Sequence, residues 1–147
     1  MTREDSEKLV LQGIEALAKE NHQLAFDCLE RAMQLKRTPL TISCLAYCQA
    51  KVRGNYTEAI SMAREALDLE PDNPLHYYNL GRILSLSGEK EQAVEILRNG
   101  LEYGMHIEIL REMQSIAIRK PPIFKMLPRN HFLNKYAGLI LSRLGLR

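Results

Sequence analysis

Small and apolar residues recur along this chain at a single offset. Ala25, Ala59 and Ala93 stand 34 residues apart, and Ala32, Ala66 and Gly100 follow seven residues later in each unit. Between them come Leu29, Ala63 and Leu97, and just beyond them Met33, Leu67 and Leu101. Gly13 aligns with Gly81, and Gly54 with Gly88. Small residues at fixed points within apolar stretches suit helix pairs that approach to roughly 8–10 Å, where only Gly or Ala fits the closest crossing. Helix starts are also legible. Thr38-Pro39 and Asn73-Pro74 each read as an N-cap followed by proline at the first helical position. Asn55 with Glu58 three residues later reads as a capping box. Gly54 and Gly88 fall where the chain must reverse, and a positive φ costs glycine little there. The pattern predicts helices near 5–19, 23–36, 39–52, 56–69, 74–87 and 90–103, ending at Gly104.

The repeat stops there, but the helical pattern does not. Residues 106–118 read as a seventh helix, with Ile107, Ile109, Leu110, Met113 and Ile116 apolar. Pro121-Pro122 breaks it, and an extended stretch to Pro128 carries Ile123, Phe124, Met126 and Leu127. Asn130 is placed to cap a last helix over 131–144, where Leu133, Tyr136, Ala137, Ile140, Leu141 and Leu144 form one stripe. A helix of this kind caps the open end of a repeat stack. It also suits an anionic membrane surface or an acidic partner. The extended stretch could lie in the protein's own groove. These readings of the tail stay open.

A 34-residue period with these small residues resembles the tetratricopeptide-repeat (TPR) family. The third unit fits best, with Tyr77, Leu80-Gly81 and Leu84 in its first helix and Ala93 and Leu97 in its second. The second unit supplies Gly54-Asn55-Tyr56 with Ala59, Ala66 and Pro71, but has Ser43 and Tyr47 where an aromatic and a glycine are expected. The first keeps Gly13, Ala25 and Ala32, with Glu20 at the turn and Arg37 in place of the closing proline. The resemblance implies an all-α protein: a right-handed α-solenoid of three helical hairpins, about 6–39, 40–73 and 74–107, plus a C-terminal helix or cap. Residues 1–107 then form the repeats. Residues 108–147 supply a helix, a basic proline-containing linker and an amphipathic capping helix packed on the same domain.

In TPR proteins the first helices of the hairpins line a concave groove for a partner's peptide or helix. By position, the resemblance lines the groove here with Val10, Ile14 and Leu17, then Thr41, Cys44, Leu45, Cys48 and Lys51, then Leu75, Tyr78, Asn79, Arg82 and Leu86. Some TPR domains grip a chaperone's C-terminal carboxylate with Lys, amide and Arg side chains. The matching positions here are Val10, Ile14, Leu45, Leu75 and Asn79, of which only Asn79 offers a donor. A carboxylate set against the others would lose water and gain nothing. An apolar groove with a polar edge at Lys51 and Arg82 suits an apolar or amphipathic segment of a partner. Small secretion chaperones of similar build shield apolar client segments, which is a second form of the same idea.

Charge changes the picture, though composition does not. The formal net charge of +2 divides unevenly. Residues 1–112 hold 13 Lys/Arg against all 18 Asp/Glu, a balance of −5, while residues 113–147 hold seven Lys/Arg and no acid. An acidic body with a basic tail disfavours nucleic acid as partner and keeps a membrane-surface adaptor as the alternative. The charged start, three cysteines and lack of a long apolar run lead us to expect a cytoplasmic monomer or weak homodimer without disulfides. Chemistry is sparse. No phosphate-binding loop, dinucleotide glycine fingerprint or His-Glu-x-x-His occurs, so neither an enzyme nor a cofactor is expected. Cys44 and Cys48 share a helix face, but zinc needs more ligands than two, and small buried residues explain them better. His22 reads as a packing residue, and His76, His106 and His131 as solvated or capping positions.

Overall fold

The computed structural model describes residues 3–116 and 143–145. The chain divides into two compact units, Met1–Ala117 and Ile118–Arg147. In the first unit lie seven helices: α1 (Arg3–Ala18), α2 (His22–Leu35), α3 (Pro39–Arg53), α4 (Tyr56–Leu69), α5 (Pro74–Leu86), α6 (Lys90–Gly100) and α7 (Ile107–Ile116). A single 3-10 turn, Leu101–Tyr103, follows α6, so the sixth helix ends three residues earlier than the pattern suggested. The proline-containing linker, the final helix over 131–144, His131 and their expected packing on the repeats lie outside the described residues.

The helix ends have named causes. Asn21 Oδ1, Thr38 Oγ1, Asn55 Oδ1 and Asn73 Oδ1 accept from the backbone N–H of Leu24, Thr41, Glu58 and Leu75. Each satisfies one amide that the first turn leaves without an internal partner. The capping box at Asn55 takes a variant form: Glu58 Oε2 accepts from the Asn55 side-chain amide at 2.6 Å rather than from backbone. The turns inside the three hairpins share one conformation. Glu20, Gly54 and Gly88, each 34 residues from the next, have φ of +57°, +66° and +88°. Glycine holds this left-handed turn in two hairpins and Glu20 holds it in the first, at a steric cost of roughly 1–2 kcal/mol.

Packing follows the period. Helices pair as α1–α2, α3–α4 and α5–α6, and each pair stacks on the next through α2–α3 and α4–α5. The first helices of successive pairs also touch, α3 on α5 and α5 on α7. With α2, α4 and α5 packed around it, α3 buries all of Thr41–Ala50, which is why its apolar residues are spread around the helix instead of forming one stripe. α7 occupies the place a further first helix would take, and buries Ile109 and Ile116 against the core formed by α3 to α6.

Inside each hairpin one crossing sets the spacing. A Cβ on Gly13 would sit 2.6 Å from Leu29 Cγ, and one on Gly81 would sit 2.5 Å from Leu97 Cγ. The same register in the middle hairpin pairs Tyr47 with Ala63, both buried in one core. Large and small have traded places there, which explains how the second unit departs from the glycine pattern without opening its core. Gly100 stands where the first two units have alanine, because Tyr77 Cβ and Ile109 Cδ1 would lie 2.7 and 3.1 Å from a Cβ.

Candidate functional site

The hairpin stack leaves a cavity of about 940 Å³ on the side of the first helices. One end is closed by Ile14, Leu17 and Ala18 of α1, with Glu20 and His22 from the turn into α2. Cys44, Tyr47 and Lys51 on α3 form the middle. α5 and its cap contribute Asn73, Pro74, Leu75, Tyr78, Asn79 and Arg82, and His106, Glu108, Ile109 and Arg111 from the start of α7 close the other end.

Of the residues placed in the groove by position, Ile14, Leu17, Cys44, Lys51, Leu75, Tyr78, Asn79 and Arg82 meet around this cavity. Val10 does not. It lines a separate depression of about 360 Å³ with Leu11, Thr38 and Leu40. Cys48, Thr41 and Leu45 are buried in the core of the stack, because α2, α4 and α5 pack around α3. Leu86 is exposed and lies away from the cavity. Other contributors escaped position-based reasoning, among them Ala18, Glu20, Asn73 and Pro74 at the helix ends. Tyr47 is another, since in the ordinary pattern its place belongs to glycine. His22 opens α2, a second helix of a hairpin, and the α7 residues follow the last repeat.

The cavity wall is built around aromatic and cationic contacts. The Arg82 guanidinium lies 3.5 Å from the Tyr47 ring centroid and 4.9 Å from that of Tyr78. Such contacts contribute from about 0.5 to 2 kcal/mol as the site loses water. His22 meets the Tyr47 ring edge-on at 5.9 Å between centroids. Burial lowers the His22 pKa first, and the charges of Lys51 and Arg82 lower it further, with Glu20 opposing. Asn79, buried against α3, donates through Nδ2 to Ser43 Oγ at 2.9 Å and to Cys44 Sγ at 3.8 Å. Its amide therefore fastens α5 to α3 and is no longer free to grip a ligand's carboxylate. Burial pushes the Cys44 thiol up to about 11 and the Cys48 thiol up to about 12, so both stay protonated near neutrality. Among the described residues no cluster of His, Cys, Asp and Glu is arranged to hold a metal ion.

His76, expected at a solvated or capping position, is neither exposed nor free of partners. It is fully buried, and its Nε2 lies 2.9 Å from Glu70 Oε2, which also accepts from Asn73 Nδ2 at 3.0 Å. These contacts tie the start of α5 to the end of α4. Solvent does not reach the ring because the close of one repeat folds over the opening of the next. His106 is exposed at the cavity edge.

A family model for the tetratricopeptide repeat matches residues 53–106. Human tetratricopeptide repeat protein 7A is 32% identical over 97 residues, covering 65% of this chain and 11% of its own length. Small glutamine-rich tetratricopeptide repeat-containing protein 2 of Mycosarcoma maydis is 27% identical over 108 residues, 73% of this chain and 30% of its own length. The chain thus spans less than a third of either curated relative. Among solved structures, the first TPR domain of Spaghetti (RPAP3) bound to the HSP90 peptide SRMEEVD aligns with a TM-score of 0.62 at 18% identity. That alignment covers 80% of this chain and 94% of the other. The 34-residue register, the stacked hairpins and the repeat model matched over residues 53–106 identify tetratricopeptide repeats in this chain.

Proposed function

We propose that this chain is a protein-interaction adaptor that takes an apolar or amphipathic segment of a partner into the cavity along α1, α3, α5 and α7. The observation that carries the reading is the cavity itself. It runs across all three hairpins and is walled by Ile14, Leu17, Leu75 and Tyr78, with Lys51 and Arg82 to orient a polar residue. Apolar walls with a few placed polar groups describe binding sites in general. The fold shared with a peptide-bound neighbour supports the reading. A client-shielding chaperone role is a special case of the same groove. Catalysis is no part of the proposal, and we place the protein in the cytoplasm.

A library of displayed random peptides, selected on the full chain, tests this. Enriched peptides should bind the wild type and lose at least tenfold in affinity to Leu75→Arg, which puts a charge on the apolar wall. Peptides that bind both forms equally would sink the groove reading. The segregated charge, seven Lys/Arg and no acid over residues 113–147, favours membrane-surface attachment as the second reading. Flotation with phosphatidylserine vesicles, reversed by salt, would support it.

A further inference from the structure

Arg82 stands one turn past Tyr78 on α5, with its guanidinium over the Tyr78 ring and, more closely, over the Tyr47 ring of α3. A guanidinium laid on aromatic faces is held by its flat sides, which leaves its in-plane N–H donors for other groups. Among the described residues, no acceptor takes a hydrogen bond from Arg82 and no carboxylate pairs with it. Packing fixes the position of this cation without a direct ion pair. Lys51 and Arg111 line the same cavity, while Glu20 and Glu108 lie toward its two ends, in the turn after α1 and the first turn of α7. The charge of Glu112 on α7 also reaches the Tyr47 and Tyr78 rings. At His22 the charges of Lys51 and Arg82 each outweigh that of Glu20. Lys51 and Arg82 thus place two cations on the α3 and α5 wall of the cavity, within residues 1–112 whose balance is −5.

We infer that the cavity recognises a partner segment carrying a side-chain carboxylate between apolar residues, the carboxylate docking in the plane of the Arg82 guanidinium. This rests on the groove reading above and names the chemistry of its ligand. Bidentate pairing matches the fork of Arg to the two oxygens of a carboxylate, and the two rings preorganise that fork. Ile14, Leu17 and Leu75 receive the flanking apolar residues. A C-terminal carboxylate is not the occupant. The positions that would grip one are Val10, Ile14, Leu45, Leu75 and Asn79, and the Asn79 amide is spent on Ser43.

The test uses peptides enriched from the displayed library, resynthesised with acetylated and amidated ends so that only side chains carry charge. Binding to the full chain is read by fluorescence polarisation. The enriched sequences should share an Asp or Glu flanked by apolar residues. Replacing that acid by its amide, or making Arg82→Gln in the protein, should each weaken binding about tenfold to a hundredfold. Making both changes should cost little more than either alone, since they remove the same contact. Arg82→Lys, which keeps the charge and loses the fork, should not restore full affinity. The far-UV spectrum and urea midpoint of each variant establish that it folds. Enriched peptides without an acidic residue, or with affinity unmoved by Arg82→Gln, overturn the inference and leave the groove reading standing. Affinity that requires a free C-terminus overturns it in favour of a terminal carboxylate. Failure of the library to enrich any peptide sensitive to Leu75→Arg overturns both.

Discussion

Gly81 meets Leu97 where α5 crosses α6, and this contact makes a prediction of sign as well as size. Gly81→Ala adds a methyl group whose carbon would lie 2.5 Å from both Cγ and Cδ2 of Leu97. Leu97 is fully buried, so it has little room to move aside. Overpacking of this kind costs about 1–3 kcal/mol, while replacing a mid-helix glycine by alanine returns about 1 kcal/mol. The net expectation is a loss of up to about 2 kcal/mol. Leu97→Ala alone should cost about 2–5 kcal/mol by opening a void. In that background the clash is gone, and Gly81→Ala should stabilise by about 1 kcal/mol. Urea unfolding followed by far-UV circular dichroism gives all four stabilities, provided the slope with denaturant stays constant. The coupling energy then equals the relieved clash, about 1–3 kcal/mol. If Gly81→Ala has the same effect with and without Leu97, the crossing does not set the hairpin spacing and the account of the repeat glycines is wrong.

Other perturbations follow from the same packing. Glu20→Gly relieves a φ of +57° and should raise stability by up to about 1 kcal/mol. Gly54→Ala, at φ +66° with nothing within 4 Å of the added carbon, should lower it by about 1 kcal/mol through backbone strain alone. Both are read from urea midpoints. Acidification should destabilise the protein in two windows. The folded chain holds the His22 pKa below its unfolded value, so the stability it contributes is complete above about pH 6.5 and declines as pH falls through that value. Glu70 has a folded pKa lowered by hydrogen bonds from Asn73 and His76, so its contribution is present above the unfolded carboxyl value and vanishes as pH falls through the folded one. His22→Gln should flatten the first window in a urea titration carried from pH 7 down through the carboxyl range and leave the second unchanged. Cys44 and Cys48, buried with pKa values of about 11 and 12, should react with iodoacetamide in native protein only as fast as the chain opens. Labelling at the rate of an exposed thiol would contradict their burial.

How much of this was written in the sequence can be judged residue by residue. The helices and their stacking were legible because Ala, Leu and Gly positions recur at 34 residues and because Thr38, Asn55 and Asn73 cap where they stand. The sixth helix ran short because Gly104, the stop signal, lies past a turn that tightens after Gly100. Positional reasoning reached much of the cavity wall, since the first helix of each hairpin presents the same face. It went astray on Cys48, because that side of α3 is packed into the core shared with α1 and α2, and on His76, because Glu70 and Asn73 fold across it. Tyr47 was legible only as a departure from glycine. Its role appears when Ala63 is seen opposite in register and Arg82 is found lying on its ring. The α7 contribution could not come from the period, because the period ends before it.

The central claim is that the face of the first helices binds a partner segment. The most direct measurement is a two-dimensional amide NMR titration of the full chain with the highest-affinity library peptide. The account predicts shift changes that map to Ile14, Leu17, Lys51, Tyr78 and Arg82, with α2, α4 and α6 little affected. Changes confined to the second helices of the hairpins, with the cavity residues unmoved, would contradict it.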